Sequence, residues 1–561
     1  MREVVLAEWA GRPLSPAVKC RWPLVVAGVL WQGTALYRKG DGHEYRSWPQ
    51  RPWWSGAAHV SPDRRDPSLL QALTPLLFLV LALACAVYLY ADDASFGANQ
   101  IGLMLATGVA ALVGLRNHIP WQEIQDSLVH GVSLAVVPIF ILLSVGALIG
   151  TWILSGTVPV LIVYGMELMH PAYFYPASCL VCAIVALSIG SSWTVAGTLG
   201  VALVGVAQGM DMSLPVTAGA IISGAYFGDK MSPISDTTII APASAGAELF
   251  SHIRHLTWTT FPSFAIALVL FTIVGLVQGS GGNPEFGNLA GQLREHYNLG
   301  WYLLIPLLVV FTLAMLRFPA YPTILLGALL GGVFAVLFQP ELVVALADDP
   351  DIPRPMALLS GAWRALFEGY QSDTGNAVVD DLLTRGGMIS MLNTVWLIVC
   401  ALGFGAVMER TGLLERMVRS VLKKVKSTGS LIAATIGTAF GTNVVAADQY
   451  MALVLPGRLY QPEYRRRGLD PVNLSRALED GGTITSPLVP WNTCGAYMAA
   501  TLGVATLDYL PYAFFNLAGP VVALVMAYTG FRVLRLDTSG GKPSAGAPPP
   551  ATEAAGPGTA R

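Results

Sequence analysis

The chain has 561 residues, of which 54% are hydrophobic and only 12% are charged, and its formal net charge is −2. Soluble globular proteins carry roughly 25% charged residues, so this composition excludes a water-soluble enzyme of this size, and a chain without a basic excess is not a nucleic-acid-binding protein. The composition predicts an all-α polytopic membrane protein.

Two polar segments flank the predicted membrane region. Residues 1–66 are rich in Trp, Arg and Pro, and we expect a cytoplasmic extension there rather than a signal peptide. Residues 532–561 are rich in Gly, Pro, Ala, Ser and Thr, which predicts a disordered cytoplasmic tail.

Apolar segments occupy most of the chain between these ends. A helix needs about 20 residues to cross a bilayer. Eight segments fit one crossing each, near 69–90, 97–115, 132–154, 258–278, 300–316, 320–338, 388–408 and 512–531. Four others are irregular. A polar, Pro-bearing interruption in 215–248 and 476–508 predicts broken helices, and a central Gly-Ser or Gly-Thr break in 172–207 and 429–457 predicts re-entrant hairpins.

Basic residues predict the orientation, because short cytoplasmic loops carry an excess of Lys and Arg. Basic clusters stand on both sides of 429–457, so both of its flanks are expected in the cytoplasm. When the crossings are counted in both directions from 429–457, the acidic segment 339–387 is expected outside the cell membrane and both termini are expected in the cytoplasm. The result is a first membrane repeat at 67–278, an external loop at 279–299 and a second repeat at 300–531, each repeat with five crossings and one hairpin.

An odd number of crossings inverts the second repeat relative to the first. Weak internal similarity agrees: Gly190-Ser191-Ser192 precedes Gly441-Thr442-Asn443 by 251 residues, and Ser232-Pro233 precedes Ser486-Pro487 by 254. Inverted repeats whose broken helices meet at mid-membrane are the architecture of secondary transporters.

The strongest chemical signal is the polar stretch 224–238. It contains two carboxylates, one ammonium and four hydroxyls, those of Asp229, Asp236, Lys230, Ser232, Ser235, Thr237 and Thr238. Ionisable groups inside a bilayer are costly and mark functional sites, and hard cations prefer oxygen ligands. We therefore expect Na⁺ and H⁺ to share Asp229 and Asp236, with Ser235 and Thr237 as further ligands. The alternative is a loop outside the membrane in which Asp229 pairs with Lys230.

Further oxygen donors lie at the other three irregular segments. The second broken helix supplies Asn492 and Thr493, and the hairpins supply Ser192, Thr194, Asn443 and Asp448. We expect Asp448 to face the ion cavity or to form a structural ion pair. Secondary candidates are Lys230, Ser232, Glu479 and Asp480, and the alternative for the last two is a solvated helix start.

Several other patterns are weaker. His252 and His255 are expected on the surface of a cytoplasmic helix end, with pH sensing as the alternative. The CxxC spacing of Cys179 and Cys182 lies in an apolar segment and predicts packing rather than redox or metal chemistry. No HExxH or Walker motif is present. The GxGD motif of intramembrane aspartyl proteases is incomplete, because Tyr226 replaces its first glycine. No cofactor is expected.

The chain resembles the NhaC family of Na⁺/H⁺ antiporters over about residues 67–531. The resemblance rests on the motifs TWILSGTVP at 151–159, GSSWT at 190–194, GAYFGDKMSPISDTT at 224–238, HIRH at 252–255, SRALED at 475–480 and PWNT at 490–493. Ser235-Asp236-Thr237 and Trp491-Asn492-Thr493 also resemble the Ser-Asn-Thr signatures of a wider group of ion-coupled transporters, which have a scaffold and a mobile transport domain.

The resemblance implies a bacterial inner-membrane antiporter that exports Na⁺, or Li⁺, at the expense of inward H⁺ movement by alternating access. The expected partners are Na⁺, H⁺ and the lipid bilayer, and a homodimer is compatible with the sequence. Some relatives exchange malate and lactate, so a coupled carrier of a small carboxylate is the alternative, for which Lys230 or an Arg would supply the counter-charge. A passive cation channel is less favoured, because polarity is confined to four breaks.

Overall fold

The structure, a computed structural model, describes residues 65–90, 97–278, 289–349 and 351–536. Most of the expected extension 1–66 and of the tail 532–561, and residues 279–288 of the external loop 279–299, therefore lie outside the described residues. Within the described part, nine helices are long and apolar enough to cross a membrane, or up to eleven if each of two bent helix pairs counts as one span. The prediction of an all-α polytopic membrane protein is confirmed.

The first half of the chain, up to residue 278, forms nine helices in its described part. They are α1 (Leu69–Tyr90), α2 (Ala98–Arg116), α3 (Trp121–Leu154), α4 (Thr157–Leu168), α5 (Pro171–Ile189), α6 (Ser192–Gly209), α7 (Leu214–Met231), α8 (Asp236–Ala245) and α9 (Leu249–Gln278).

The second half continues the series and includes three short helices in the segment expected outside the membrane. Its helices are α10 (Leu289–His296), α11 (Ile305–Met315), α12 (Ala320–Phe338), α13 (Pro340–Ala347), α14 (Arg354–Phe367), α15 (Ala377–Leu383), α16 (Leu392–Arg410), α17 (Leu413–Leu422), α18 (Thr428–Ala446), α19 (Gln449–Arg466), α20 (Pro471–Leu478), α21 (Thr493–Leu502), α22 (Thr506–Tyr509) and α23 (Phe514–Thr529).

All eight segments predicted as single crossings are helical. Their exposed sides are apolar: on α1, for example, Leu70, Leu77 and Leu81 are exposed, as lipid contact requires. Between helices, small residues allow close approach. A Cβ atom on Gly228 of α7 would lie 2.4 Å from the carbonyl oxygen of Ala183 on α5, so only glycine fits at this crossing.

The four irregular segments are broken, as predicted, but one break lies elsewhere. The first hairpin segment breaks at Gly190, whose φ is 75°, between α5 and α6. In 429–457, however, α18 continues through Gly441-Thr442-Asn443 and ends at Ala446, so the break expected at those residues is wrong. The chain turns at Ala447, with φ 55°, because Asp448 caps α19 by accepting a hydrogen bond from the backbone N–H of Met451 at 2.8 Å.

The arms on either side of these two breaks are longer than the half-crossings that the sequence suggested. Each arm has 18 or 19 residues. The two broken helices are interrupted at 232–235, between α7 and α8, and at 484–492, before α21. The re-entrant course of the hairpins and the inverted repeat stay predictions.

Candidate functional site

The carboxylate of Asp229 lies at the first helix interruption, two residues before the end of α7. It is buried, with 5% of the residue exposed. Ser192, from the hairpin tip between α5 and α6, donates a hydrogen bond to Oδ2 at 2.6 Å, and Ser235, from the interruption itself, donates one to Oδ1 at 2.6 Å. The hydroxyl of Thr237 lies 3.1 Å from that of Ser235. The structure therefore joins four of the predicted residues in one buried oxygen cluster, which we call the Asp229 cluster.

The geometry of this cluster follows from the broken helix. Ser232 to Ser235 leave the helical path between the end of α7 at Met231 and the start of α8 at Asp236, and this turn brings Ser235 back to the Asp229 carboxylate. Thr238 then bridges the interruption, because its hydroxyl lies 3.1 Å from the backbone carbonyl oxygens of both Asp229 and Lys230 and can donate to either. Carbonyl groups at such an interruption have lost their helical partners, which makes them available to a cation.

Asp236 and Thr194 occupy less central positions. Asp236 is exposed, at the first residue of α8, where a helix N-terminus favours a carboxylate. Its charge acts on Asp229, although its carboxylate is not one of the buried oxygens. Thr194 is buried, and its hydroxyl donates to Ser191 at 3.0 Å, so it stabilises the hairpin tip.

The second half repeats the same arrangement with neutral groups. Asn443, near the end of α18, donates through Nδ2 to the carbonyl oxygen of Gly482 at 2.6 Å and to the Thr485 hydroxyl at 3.0 Å. Asn492 donates through Nδ2 to both the carbonyl and the side-chain oxygen of Asn443 at 3.2 Å. The backbone N–H of Thr493 donates to the carbonyl of Ala447 at 2.9 Å. In each half, the turn between two hairpin arms thus binds the interrupted helix of the same half.

Asp448 is buried, 9% exposed, and caps α19 rather than forming an ion pair with a described residue. The next residue, Gln449, accepts hydrogen bonds from Ser486 at 2.8 Å and from the Cys494 thiol at 3.1 Å. Tyr450 lies within electrostatic reach of Asp229, Asp236 and Asp448. Gln449 and Tyr450 were not among the residues predicted for the site, although their position directly after Asp448 in an apolar segment could have indicated them.

The two halves meet next to the Asp229 cluster through aromatic side chains. Trp193 stacks on Tyr497, with ring centroids 4.1 Å apart and planes 10° from parallel. The Tyr497 hydroxyl also donates to the Trp193 carbonyl at 2.9 Å. Ser192 therefore contacts the Asp229 carboxylate, and the next residue, Trp193, contacts the other half of the chain.

The secondary candidates form a separate buried group. Lys230 forms an ion pair with Asp480 of the other half, and both side chains are fully buried. The alternative Asp229–Lys230 pair is therefore not what the structure contains. Glu479 is also fully buried, which excludes a solvated helix start. Ser232 is buried and its hydroxyl has no hydrogen-bond partner within the described residues.

The two histidines correct another expectation. His252 is fully buried and His255 is 5% exposed, so neither is a surface residue. The reason is that the start of α9 packs against α20, where Nδ1 of His252 lies 2.7 Å from the Ser475 hydroxyl.

The oxygen chemistry of the Asp229 cluster suits a small hard cation. It offers one carboxylate, the hydroxyls of Ser192, Ser235 and Thr237, and nearby carbonyl groups. Among the residues that the structure describes, no group of three or more His, Cys, Asp and Glu side chains could hold a metal ion, and one carboxylate among hydroxyls matches the charge of a monovalent cation better than that of a transition metal.

Comparison with known sequences identifies relatives over most of the chain. The model of the Na⁺/H⁺ antiporter family matches residues 70–248, 224–348 and 353–531. The Na⁺/H⁺ antiporter NhaC of Alkalihalophilus pseudofirmus is 38% identical over 77% of this chain and 91% of its own. The malate-2H⁺/Na⁺-lactate antiporter of Bacillus subtilis is 36% identical over 83% and 96%. The arginine/ornithine antiporter ArcD of Halobacterium salinarum is 35% identical over 85% and 95%.

Among solved structures, that of MtrF from Neisseria gonorrhoeae covers 82% of this chain and 95% of its own at 14% identity. Its TM-score of 0.27 is too low to carry an argument about fold or function.

Proposed function

Because the chain belongs to the Na⁺/H⁺ antiporter family, we propose that it exchanges Na⁺ or Li⁺ for H⁺ across the bacterial inner membrane by alternating access. The observation that carries the proposal is the buried Asp229 carboxylate, held by hydroxyl groups from a hairpin tip and from an interrupted helix.

The physical basis of exchange is that this site is stable with one added positive charge. A buried carboxylate without a cation is costly, and a bound Na⁺ removes that cost. A proton taken up by this carboxylate or by a neighbouring one keeps the net charge of the buried region the same when Na⁺ leaves. When Na⁺ binds, the hydroxyl groups of Ser192 and Ser235 can rotate so that their oxygen lone pairs face the ion. A site that accepts one of two cations at a time couples their movements in opposite directions.

The inverted repeat with both termini in the cytoplasm is part of the proposal. It is supported by the matching contacts in the two halves, where Ser192 binds at one helix interruption and Asn443 at the other. Binding sites of secondary transporters lie between such repeats, so that rocking of one part against another opens the site to each side in turn.

The alternative, exchange of a small carboxylate, is kept because one relative is a malate and lactate antiporter. Two observations favour cation exchange over it. Lys230, the proposed counter-charge for an anion, is already paired with Asp480. Arg385 lines a cavity of about 450 Å³, but Glu368 lines the same cavity, so an anion there would meet both signs of charge.

The test is transport by the purified chain in proteoliposomes that carry a pH gradient and a trapped pH indicator. Na⁺ and Li⁺ should dissipate the gradient, whereas K⁺, malate, lactate and arginine should not. Dissipation by malate or lactate without Na⁺ would establish the alternative, and no response to any cation would refute the proposed function.

A further inference from the structure

A second group of buried charges lies where the end of α7, the start of α9 and the turn after α20 meet. We call it the Lys230 cluster, and its members are Lys230, Thr259, Arg476, Glu479 and Asp480. Lys230 and Asp480 form the ion pair between the halves, and the Thr259 hydroxyl donates to Oδ1 of Asp480 at 3.0 Å. Glu479 and Asp480 begin a π-helical turn, Glu479–Thr483, a local form that is frequent at functional sites.

Glu479 is the unusual member of the cluster. Its side chain is fully buried, and neither carboxylate oxygen forms a hydrogen bond within the described residues, although the hydroxyl of Thr483 in the same turn lies close enough to interact with it. Asp229, in contrast, accepts two hydroxyl hydrogen bonds, and Asp480 is neutralised by Lys230. An ionised carboxylate buried without a hydrogen-bond donor costs several kcal/mol, which favours the protonated form of Glu479 as long as no further cation binds nearby.

The charged groups around Glu479 determine whether its carboxyl group is protonated or ionised. Lys230, Asp229 and Asp480 act directly on Glu479. The helices packed against the π-helical turn add few charges, since α18 and α23 have none. The remaining charged or titratable side chains lie on the elements packed around the cluster. They are Tyr226 on α7, exposed Asp236 on α8, His252, Arg254 and His255 on α9, Asp448 at the start of α19, Tyr450, Arg458, Tyr460, Glu463, Tyr464, Arg465 and Arg466 on α19, buried Arg476 on α20, and Tyr528 on α23.

We propose that Glu479 carries the transported proton, at a position distinct from the Asp229 cluster that binds the cation. This inference rests on the proposed antiport. Na⁺ bound at Asp229 adds a positive charge near Glu479 and favours its ionised form, so the proton leaves as Na⁺ enters. Protonation of Glu479 in turn weakens Na⁺ binding. One Na⁺ enters for each proton that leaves, so the net charge of the buried region is unchanged.

The decisive variant is Glu479→Gln, which keeps the shape of the side chain but cannot release a proton. In proteoliposomes without a pH gradient, exchange of radioactive Na⁺ for Na⁺ should continue in this variant. Na⁺ uptake driven by a pH gradient should fall at least about tenfold, and the half-maximal Na⁺ concentration should no longer depend on pH. Glu415→Gln is the matched control, because Glu415 is a half-buried glutamate on α17 that pairs with Arg419, outside both clusters, and this variant should behave like the unchanged chain.

The outcomes separate the two proposals. An unchanged chain that does not couple Na⁺ to H⁺ removes the proposed function, and this inference with it. If the unchanged chain couples Na⁺ to H⁺ and the Glu479→Gln variant does so with the same pH dependence, only the inference about Glu479 is overturned. If Glu479→Gln does not fold, Glu479→Asp retains a carboxyl group at a different distance from Lys230. That variant should keep coupling but shift its pH dependence, and an identical pH profile would contradict the role of Glu479.

Discussion

Replacing Gly228 by alanine tests whether the close packing of α5 and α7 holds Asp229 in position. The new Cβ would lie 2.4 Å from the carbonyl oxygen of Ala183 and 2.4 Å from the amide nitrogen of Leu187. Both are backbone atoms and cannot rotate away. The two helices must therefore separate by about 1 Å before these contacts reach the ordinary distance of 3.4 Å.

A separation of this size reaches the binding site, because Asp229 follows Gly228 directly and Ser192 lies just beyond the end of α5. Their hydrogen bond of 2.6 Å would lengthen beyond the usual range for two oxygen atoms, which ends near about 3.0 Å. The same displacement withdraws the Ser192 oxygen from a Na⁺ ion bound at Asp229. An interaction between a polar oxygen and a charged group contributes about 1.5–3 kcal/mol, so its loss corresponds to a roughly ten- to hundredfold higher half-maximal Na⁺ concentration.

The assay is Na⁺-dependent dissipation of a pH gradient in proteoliposomes, normalised to the amount of folded protein. Gly441→Ala is the control, because this glycine also lies in a helix of the site region but a Cβ there would meet nothing within 4 Å. It should behave like the unchanged chain, although the sequence alone suggested that Gly441 forms a hairpin tip. Normal Na⁺ affinity in Gly228→Ala, or an equal loss in Gly441→Ala, would refute the packing argument.

Three further predictions follow from the site and the topology. Asp229→Asn should abolish cation-dependent dissipation while the protein still reaches the membrane. Asp236→Asn should change the half-maximal Na⁺ concentration by less than about tenfold, because an exposed charge contributes about 1 kcal/mol or less. Equal effects of the two variants would contradict the placement of Asp236, and Asp349→Asn, in the segment proposed to lie outside the membrane, should have no effect. In the unchanged chain, half-maximal Na⁺ should fall by about tenfold per pH unit as pH rises through the steep range, if one proton competes with one Na⁺; a constant value would mean that the two ions do not compete. A membrane-impermeant thiol reagent added to intact cells should label a cysteine introduced at exposed Asp373 but not one at exposed Lys424, and the reverse pattern would overturn the proposed orientation.

The sequence predicted the membrane helices because apolar length is a local property. It also predicted the helix interruption after Met231, where Pro233 and the surrounding polar residues prevent a continuous helix. The break near Asn443 was placed too early, because Gly and Thr are tolerated within a membrane helix and the capping role of Asp448 depends on how the chain turns.

Partners in the other half of the chain could not be predicted in the same way. The sequence offered the neighbouring Asp229 as an alternative partner for Lys230, but its partner in the structure is Asp480, 250 residues away. The burial of His252 likewise depends on α20, whose Ser475 is 223 residues away in the sequence. Such contacts are set by the packing of helices, which a single sequence does not encode in any local pattern.

Contacts within one half of the chain join residues close in sequence, whereas contacts between the halves join residues far apart, and this difference affects biogenesis. Ser192 and Asp229 are 37 residues apart, so the first oxygen cluster can form while the ribosome is still synthesising the second half. The partner of Lys230, in contrast, is made 250 residues later. During that interval the Lys230 ammonium group has no acidic partner. We therefore expect the first half to stay beside the insertion machinery, where water or an insertase can solvate Lys230, until Asp480 arrives and the last step of assembly neutralises it.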